Sequence, residues 1–335
     1  MNFDFCLFTI PRKWKKIVWE MTSRCNMSCQ HCCTNASPNL DFDEFIFSSE
    51  KLIKRRLKEI VSFGIKEFYL SGGEPFLVEN LFNIVRFLKK KKAIVSIATN
   101  GFCLNEKIIK KLSKAGVDML HVSLDGYLPE IHNTLRGGNF FDKIVKNLEI
   151  IKKYRIPLRV GCIIWRRNED FLEEMVKFCT NLRIKELRFS WLIKVGRFKE
   201  NPKIYPKREY RSIIKEIETL KKKYKNKIKL SIHRHFSMRK KDVLRTCPGG
   251  KNLFFLNSRG NLAPCSWIAK IDKNFITNKT LKEMPFQKLI NSRPILKYRK
   301  MVNERANQKF YGCPFMAKCQ NNSYYSNDNL IYERN

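Results

Sequence analysis

Three features of this sequence predict an α/β fold built on a parallel sheet with helices outside. Strand-like apolar runs alternate six times with amphipathic helical patterns between Ile17 and about Tyr224, the order that produces parallel β–α units. The cysteine- and glycine-bearing loops fall directly after the strand-like runs, at the end where parallel α/β folds gather their chemistry. The pattern then changes to a β-hairpin flanked by cysteines, which marks a second, smaller unit. The expected boundaries are an N-terminal segment 1–16, an α/β core 17–232 and a C-terminal hairpin/α unit 233–335.

The strands are expected at Ile17–Thr22, Glu67–Leu70, Ala93–Ala98, Met119–Leu124, Leu158–Trp165 and Glu186–Leu192. Between them lie helical patterns at Ser48–Phe63, Glu79–Lys90, Glu106–Lys114, Asp142–Tyr154 and Glu169–Leu182. In the first of these, Leu52, Ile53, Leu57, Ile60 and Val61 recur at helical spacing and form a core-facing stripe. In the sixth strand unit Arg188, Ser190, Trp191 and Lys194 are candidates to face the site, although alternation admits only one of each adjacent pair. A helix over Lys207–Lys225 then closes the core, and Lys229–His233 reads as a strand leaving it.

The loop after the first strand carries Cys25, Cys29 and Cys32 in a Cys-x3-Cys-x2-Cys spacing. Three thiolates from one tight loop suit a cubane iron–sulfur cluster with one iron left open to a small molecule. His31 and Cys33 are the alternative that would complete a zinc site. A disulfide within the loop has poor geometry. The second strand is followed by Ser71-Gly72-Gly73-Glu74-Pro75, in which paired glycines allow close backbone approach and Glu74 adds an acceptor. Thr99-Asn100-Gly101 ends the third strand, and His121 to Gly126 covers the end of the fourth. His132 to Gly138 follows, with Arg136 inside it.

In this order the motifs resemble those of the radical S-adenosylmethionine (SAM) superfamily. The resemblance implies that the core is a partial, TIM-like (β/α)6 barrel. It implies that Cys25, Cys29 and Cys32 hold a [4Fe–4S] cluster whose open iron chelates SAM, and that Gly72, Gly73 and Glu74 cradle the SAM amino group. By the same resemblance Ser123 contacts the ribose, Arg136 the carboxylate, and Asn168 another polar part of the cofactor. Each also has an ordinary structural use: Ser123 and Asp125 as turn formers, Arg136 as a surface cation, Asn168 as a helix N-cap.

Four further cysteines lie near the C-terminus. Cys247 precedes and Cys265 follows a hairpin made of Leu253–Leu256, a turn at Ser258, and Leu262 onward, while Cys313 and Cys319 share a later loop. Four thiolates so arranged suit zinc or a second cluster. The arrangement resembles the twitch and SPASM extensions of radical SAM enzymes, which carry auxiliary [4Fe–4S] clusters. Of the central SPASM motif Cys-x2-Cys-x5-Cys-x3-Cys only the x5 pair is kept, with Phe310 and Ser323 at the outer positions. A twitch-type terminal Cys-x2-Cys is absent as well. One auxiliary cluster is therefore expected, with Cys247, Cys265 and Cys313 as its firmer ligands. Of the remaining Cys6, Cys33, Cys103, Cys162 and Cys179, the last two fit strand and helix interiors as small core residues.

The formal net charge of +36 comes from 67 basic and 31 acidic residues spread through nearly every helical pattern. Solvated helix faces account for most of it, and nonspecific attraction to polyanions follows. No apolar stretch reaches membrane-span length and no signal-peptide pattern opens the chain, so no membrane partner is expected. Twelve cysteines without an export signal point to metal or redox chemistry in a reducing cytoplasm.

The resemblance implies an oxidoreductase that cleaves SAM reductively to a 5′-deoxyadenosyl radical, with electrons from a low-potential donor such as flavodoxin or ferredoxin. An auxiliary cluster favours an oxidative outcome, dehydrogenation or cross-linking. Maturation of a ribosomally made peptide or protein is the leading substrate reading, and dehydrogenation of a small molecule such as an aminocyclitol or nucleotide sugar is the alternative. Asp125 and Glu130 lie near the mouth, with nothing local to single out either as a base.

Overall fold

The computed structural model describes residues 15–40, 49–191, 194–232 and 247–307. Nine strands form one sheet in the order β7-β6-β5-β4-β3-β2-β1-β8-β9. Strands β1 (Lys15–Glu20), β2 (Ile65–Ser71), β3 (Ile94–Thr99), β4 (Met119–Ser123), β5 (Leu158–Ile163) and β6 (Glu186–Ser190) are the six expected from the sequence, and each pairs in parallel with the next. Side chains of β1 and of β6 line one common cavity, so the sheet is rolled into an open barrel.

Helices α1 (Glu50–Ser62), α2 (Leu81–Lys90), α3 (Glu106–Ala115), α4 (Pro129–Arg136), α5 (Phe141–Lys153), α6 (Leu172–Asn181) and α7 (Tyr210–Lys223) connect the strands. Local chemistry sets their ends. The Ser49 hydroxyl accepts from the Leu52 N–H to start α1, and Asn105 does the same for α3. Gly116 ends α3 in the left-handed conformation at φ 75°. Their apolar stripes, such as Ile53, Leu57 and Ile60 of α1, pack on a core that takes in Trp19, Phe68, Ile97, Leu120, Val160 and Phe189 of the strands. Cys162 and Cys179 are buried in that core as expected.

Three elements depart from the sequence expectation. Helix α6 starts at Leu172 rather than Glu169, because the buried Glu169 carboxylate accepts from the Lys207 and Arg208 N–H groups and so is spent holding the chain before α7. Helix α4 is an extra turn-rich insertion, opened by Pro129 and closed by Gly137 at φ 79°. Strand β7 (Lys229–Ile232) does not leave the barrel: it pairs in parallel with β6 and extends the sheet.

The C-terminal hairpin is built onto the same sheet. Strand β8 (Leu253–Leu256) pairs in parallel with β1 on the side away from β2, and β9 (Leu262–Ala263) pairs antiparallel with β8. Alternation along β8 serves two cores. Phe254 and Leu256 join the barrel core, where Phe254 meets Phe63 and Phe286 edge-on at 5.9 Å. Leu253 and Phe255 join a smaller core with Cys247, Cys265, Ile268, Phe275 and Tyr298. That smaller core includes helices α8 (Ser266–Ile271) and α10 (Arg293–Asn307), with α9 (Phe286–Ile290) between them in the chain.

Candidate active site

The cysteine loop is shaped by backbone contacts. The Gly73 N–H donates to Thr22 O at 2.6 Å and the Glu74 N–H to Arg24 O at 3.0 Å. A Cβ on Gly73 would sit inside the Arg24 carbonyl group, and one on Gly72, itself at φ 139°, would overlap the Thr22 backbone. Only glycine allows this approach. The glycine pair thus fixes the loop after β2 against the chain that enters the cysteine loop.

The other side of the loop is held by the segment that follows β6. The Arg197 N–H donates to Cys32 O at 3.0 Å, and its guanidinium to Cys29 O at 2.9 Å and Ala36 O at 2.6 Å. Gly196 at φ 60° allows the close pass over Cys32. The sequence carried no signal for Arg197, whose role depends on contacts 161 and 168 residues away in the chain.

Cys25, Cys29 and Cys32 line one cavity of about 400 Å³ with Gly72, Gly73, Asn100, Ser123 and Arg136. Each sulfur has a polar neighbour. Asn100 Nδ2 lies 3.7 Å from Cys25 Sγ, Arg136 Nη1 lies 3.8 Å from Cys29 Sγ, and Thr34 Oγ1 lies 3.3 Å from Cys32 Sγ. Burial pushes the Cys25 thiol up to about 12. The donor set fits a cluster held by three thiolates. Among the described residues no group of three His, Cys, Asp or Glu side chains is arranged to hold a single metal ion, so His31 and Cys33 do not complete a zinc site there. Cys33 instead lies against Lys270 of α8.

Not every expected residue faces the cavity. The Glu74 carboxylate is fully buried and accepts from Thr99 Oγ1 at 2.8 Å, the Asn100 N–H at 2.8 Å and the Phe76 N–H at 3.2 Å. It ties the loops after β2 and β3 together behind the glycines. Burial pushes it up to about 7 against the pull of those three donors. Arg136 lines the cavity, but its guanidinium is clamped at 2.6 Å to Asp125, itself fully buried. The second Asp125 oxygen accepts from the Ile163 N–H at 2.8 Å. Asn168 lies outside the cavity lining, and its amide is spent on the backbone: Nδ2 donates to Asp125 O at 2.8 Å and Ile163 O at 2.7 Å, while Oδ1 accepts from the Trp165 N–H at 2.8 Å. Glu130 is exposed on α4 and does not reach the cavity.

Of the sixth-strand candidates, Arg188, Ser190 and Trp191 line the cavity and Lys194 does not. The wall is completed by Val18, Tyr69, Phe255 and Trp267.

In the second core, Cys247 and Cys265 are both buried. Cys247 Sγ lies 3.4 Å from the Gly249 N–H nitrogen and 3.4 Å from Tyr298 Oη, and Cys265 Sγ accepts from the Ile268 N–H at 3.4 Å. Cys313 and Cys319 lie outside the described residues, as do Cys6 and the ends of the expected elements at Ser48, Leu192 and His233. Among the described residues no helix is long and apolar enough to cross a membrane.

Comparison with known proteins points to one superfamily. The sequence model of the Radical SAM superfamily matches residues 19–179. An AdoMet-dependent heme synthase of Methanosarcina barkeri is 26% identical over 292 residues, covering 82% of this chain and 81% of that protein. A probable GTP 3′,8-cyclase of Saccharolobus islandicus is 30% identical over 210 residues, 61% of this chain and 67% of that protein. Among solved structures, Streptococcus suis SuiB bound to S-adenosylmethionine superposes with a TM-score of 0.69 at 16% identity, covering 84% of this chain and 67% of its own. SuiB has also been solved with its precursor peptide SuiA, at a TM-score of 0.69 and 15% identity, with 87% of this chain and 67% of that one covered.

Proposed function

This chain belongs to the radical SAM superfamily, and on that premise we propose that it uses S-adenosylmethionine to abstract hydrogen from an organic substrate and oxidise it. The observation that carries the reading is the cavity onto which Cys25, Cys29, Cys32 and the Gly72–Gly73 backbone all open. When bound, the [4Fe–4S] cluster and SAM supply a 5′-deoxyadenosyl radical able to take hydrogen from an unactivated C–H bond.

The chain's own residues have three tasks. Cys25, Cys29 and Cys32 bind the cluster, while Asn100, Arg136 and Thr34 set the polarity around their sulfurs. The Gly72–Gly73 backbone and Ser123 orient SAM, with Glu74 and Asn168 fixing the loops from behind. Val18, Tyr69, Trp191, Phe255 and Trp267 keep water from the reacting groups.

For the substrate, a relative matched over 82% of this chain is named a heme synthase, which supports a tetrapyrrole or a similar small organic acid. A ribosomally made peptide is the second reading; its support is the fold shared with SuiB, which binds a precursor peptide. An auxiliary [4Fe–4S] cluster on Cys247 and Cys265, completed by Cys313 and Cys319, would accept the product electron. Support for it is the buried cysteine pair with N–H groups directed at both sulfurs.

The test is anaerobic reconstitution followed by a 5′-deoxyadenosine assay, with and without iron coproporphyrin III and with candidate precursor peptides. SAM-dependent mass loss on the porphyrin supports the first substrate reading, and a shift on a peptide supports the second. No 5′-deoxyadenosine from reduced, fully reconstituted protein would remove the whole assignment.

A further inference from the structure

Each helix-to-strand turn from α1 to β6 passes through one residue with a positive φ. Two of these turns use glycine, Gly64 and Gly116, as that backbone favours. The other three place a cation there: Lys92 before β3 at φ 57°, Arg155 before β5 at φ 54° and Arg183 before β6 at φ 55°. Among the described residues one further non-glycine residue has a positive φ, Asn35 in the cysteine loop, and asparagine tolerates it. Glycine or asparagine would hold the three turns with less strain, so turn geometry does not account for cations at these positions.

Internal pairing does not account for them either. Lys92, Arg155 and Arg183 are exposed, and none forms an ion pair with a described residue. The carboxylates nearest these turns are bridged to other cations. Glu67 meets Lys16 at 3.3 Å, Asp118 meets Lys89 at 2.5 Å, and Glu149 meets Lys152 at 2.7 Å. Glu106 meets Lys153 at 3.1 Å, and Glu186 meets Arg159 at 2.6 Å and Lys229 at 3.4 Å.

Because the strands are parallel, these turns gather on one rim at the N-terminal strand ends, opposite the cysteine loop. The Lys152 ammonium donates to Leu182 O and the Lys229 N–H to Lys185 O, which sets the turns before β5, β6 and β7 side by side. Lys185 and Lys227, both exposed, continue the row. At a strand spacing of about 4.8 Å, the rim from β3 to β7 spans roughly 20 Å, the length of about six base pairs.

The rim offers charge and little else. The exposed large apolar side chains among the described residues are Leu40, Leu128, Phe171 and Leu296, and none lies on these turns. A membrane surface, a protein partner and a stacked single strand each call for exposed apolar or aromatic groups. A double-helical phosphate backbone does not.

We propose that this rim is a docking surface for double-helical nucleic acid, held through its phosphates by Lys92, Arg155, Arg183, Lys185 and Lys227. The surface goes beyond the SAM-dependent reading and does not depend on it. A duplex bound there leaves the mouth of the cysteine-lined cavity open.

The experiment measures fluorescence anisotropy of a labelled DNA duplex of about 20 base pairs with the reconstituted protein between roughly 50 and 200 mM KCl. Two variants each remove three exposed cations, so the overall field falls equally: Lys92→Gln/Arg155→Gln/Arg183→Gln on the rim, and Lys107→Gln/Lys203→Gln/Lys288→Gln away from it. The rim variant should bind at least about tenfold more weakly, and its slope of log affinity against log salt should flatten by about 2 to 3. The control should keep the wild-type slope. Lys92→Gly/Arg155→Gly/Arg183→Gly suits the turns, so it should lose binding to the same degree while its urea midpoint stays level or rises. Iron content and SAM cleavage should be unchanged in all three variants. Equal losses in the rim and control variants would reduce the effect to the diffuse field of a chain with net charge +36 and overturn the surface. Tighter binding to phosphatidylserine vesicles, to poly-glutamate or to a single strand of the same length would overturn it too.

Discussion

The two cysteine sites of this protein are built by opposite means. Cys25, Cys29 and Cys32 come from a single loop, and contacts from the segments after β2 and β6 hold that loop in place. Their sulfurs face side chains: Asn100, Arg136 and Thr34. Cys247 and Cys265 flank the β8–β9 hairpin and are buried in one small core; each sulfur faces a backbone N–H, and that of Cys247 also faces Tyr298. The first site has its ligands in sequence and its environment assembled from afar. The second takes its two described cysteines from either side of a hairpin, with a nearby backbone N–H at each sulfur. A reactive centre can be tuned through replaceable side chains, whereas the Gly249 and Ile268 N–H groups beside the hairpin would give the proposed auxiliary centre a fixed field.

Removing the ligands should separate the two sites most sharply. The Cys25/Cys29/Cys32→Ala variant is expected to lose 5′-deoxyadenosine formation completely and about four irons per chain. Cys247/Cys265→Ala should lose a similar amount of iron yet still cleave SAM. Iron quantitation beside the nucleoside assay decides it: equal loss of cleavage in both variants would erase the distinction drawn here. Glycine substitutions come next. Gly73→Ala forces a Cβ into the Arg24 carbonyl, which cannot yield without moving the cysteine loop. A cost of roughly 2–3 kcal/mol in urea unfolding is expected, with poor cluster loading. Gly249→Ala meets mainly the Tyr298 ring and Cys247 Sγ, at 2.9 and 3.4 Å, and should cost less.

The same contrast explains what could be read from the sequence. That Cys25, Cys29, Cys32 and the Gly72–Gly73 pair would meet at one cavity was legible because they lie in short motifs at strand ends. Arg197 was invisible, since its value comes from carbonyls far away in the chain. Strand alternation could not choose between Arg188 and its neighbours; pairing with β5 and β7 fixes that register. The hairpin was legible as β8 with β9, because the turn is local. Its parallel pairing with β1 was not, because residues 16–19 and 253–256 show no pattern that names each other. Asn168 was placed by the resemblance as a cofactor contact, and the structure places its amide on the backbone of the turn beneath. The physical reason is that the Asp125 and Ile163 carbonyls are buried together and need a donor.

Acid should affect the two sites unequally. His132 on α4 is buried with a pKa lowered to about 4, chiefly by desolvation and then by Arg136, against an ordinary value of 6.5. Its Nδ1 accepts from the Asp125 N–H at 3.1 Å, a bond that protonation at that atom would break. The folded state therefore favours neutral His132. Its contribution is complete above pH 6.5 and is lost as pH falls toward 4, by about 2 kcal/mol at pH 5. Asp125 clamps Arg136 beside Cys29, so the loss falls on the reactive site. The described residues of the smaller core include no histidine. Urea midpoints between pH 7 and 5 should decline less in His132→Asn, whose amide oxygen can keep the acceptor role without titrating. An unchanged slope would remove His132 from this account.

Tyr298→Phe is the smallest perturbation and the most specific to the second site. The ring is fully buried and stands edge-on to Phe275 at 5.6 Å, so phenylalanine keeps the packing and removes only the hydroxyl. Loss of one hydrogen-bonding group should change stability by about 1 kcal/mol. The informative readout is electrochemical. A hydroxyl donating to a cluster thiolate stabilises the reduced, more negative state, so its removal should lower the reduction potential of the auxiliary centre. The centre at Cys25, Cys29 and Cys32 should keep its own potential, because Tyr298 packs in the smaller core. Potentiometric EPR titration of the variant would show one signal displaced and the other fixed. If neither moves, the Cys247 sulfur at 3.4 Å is an ordinary buried thiol; the auxiliary cluster would then lose its first ligand.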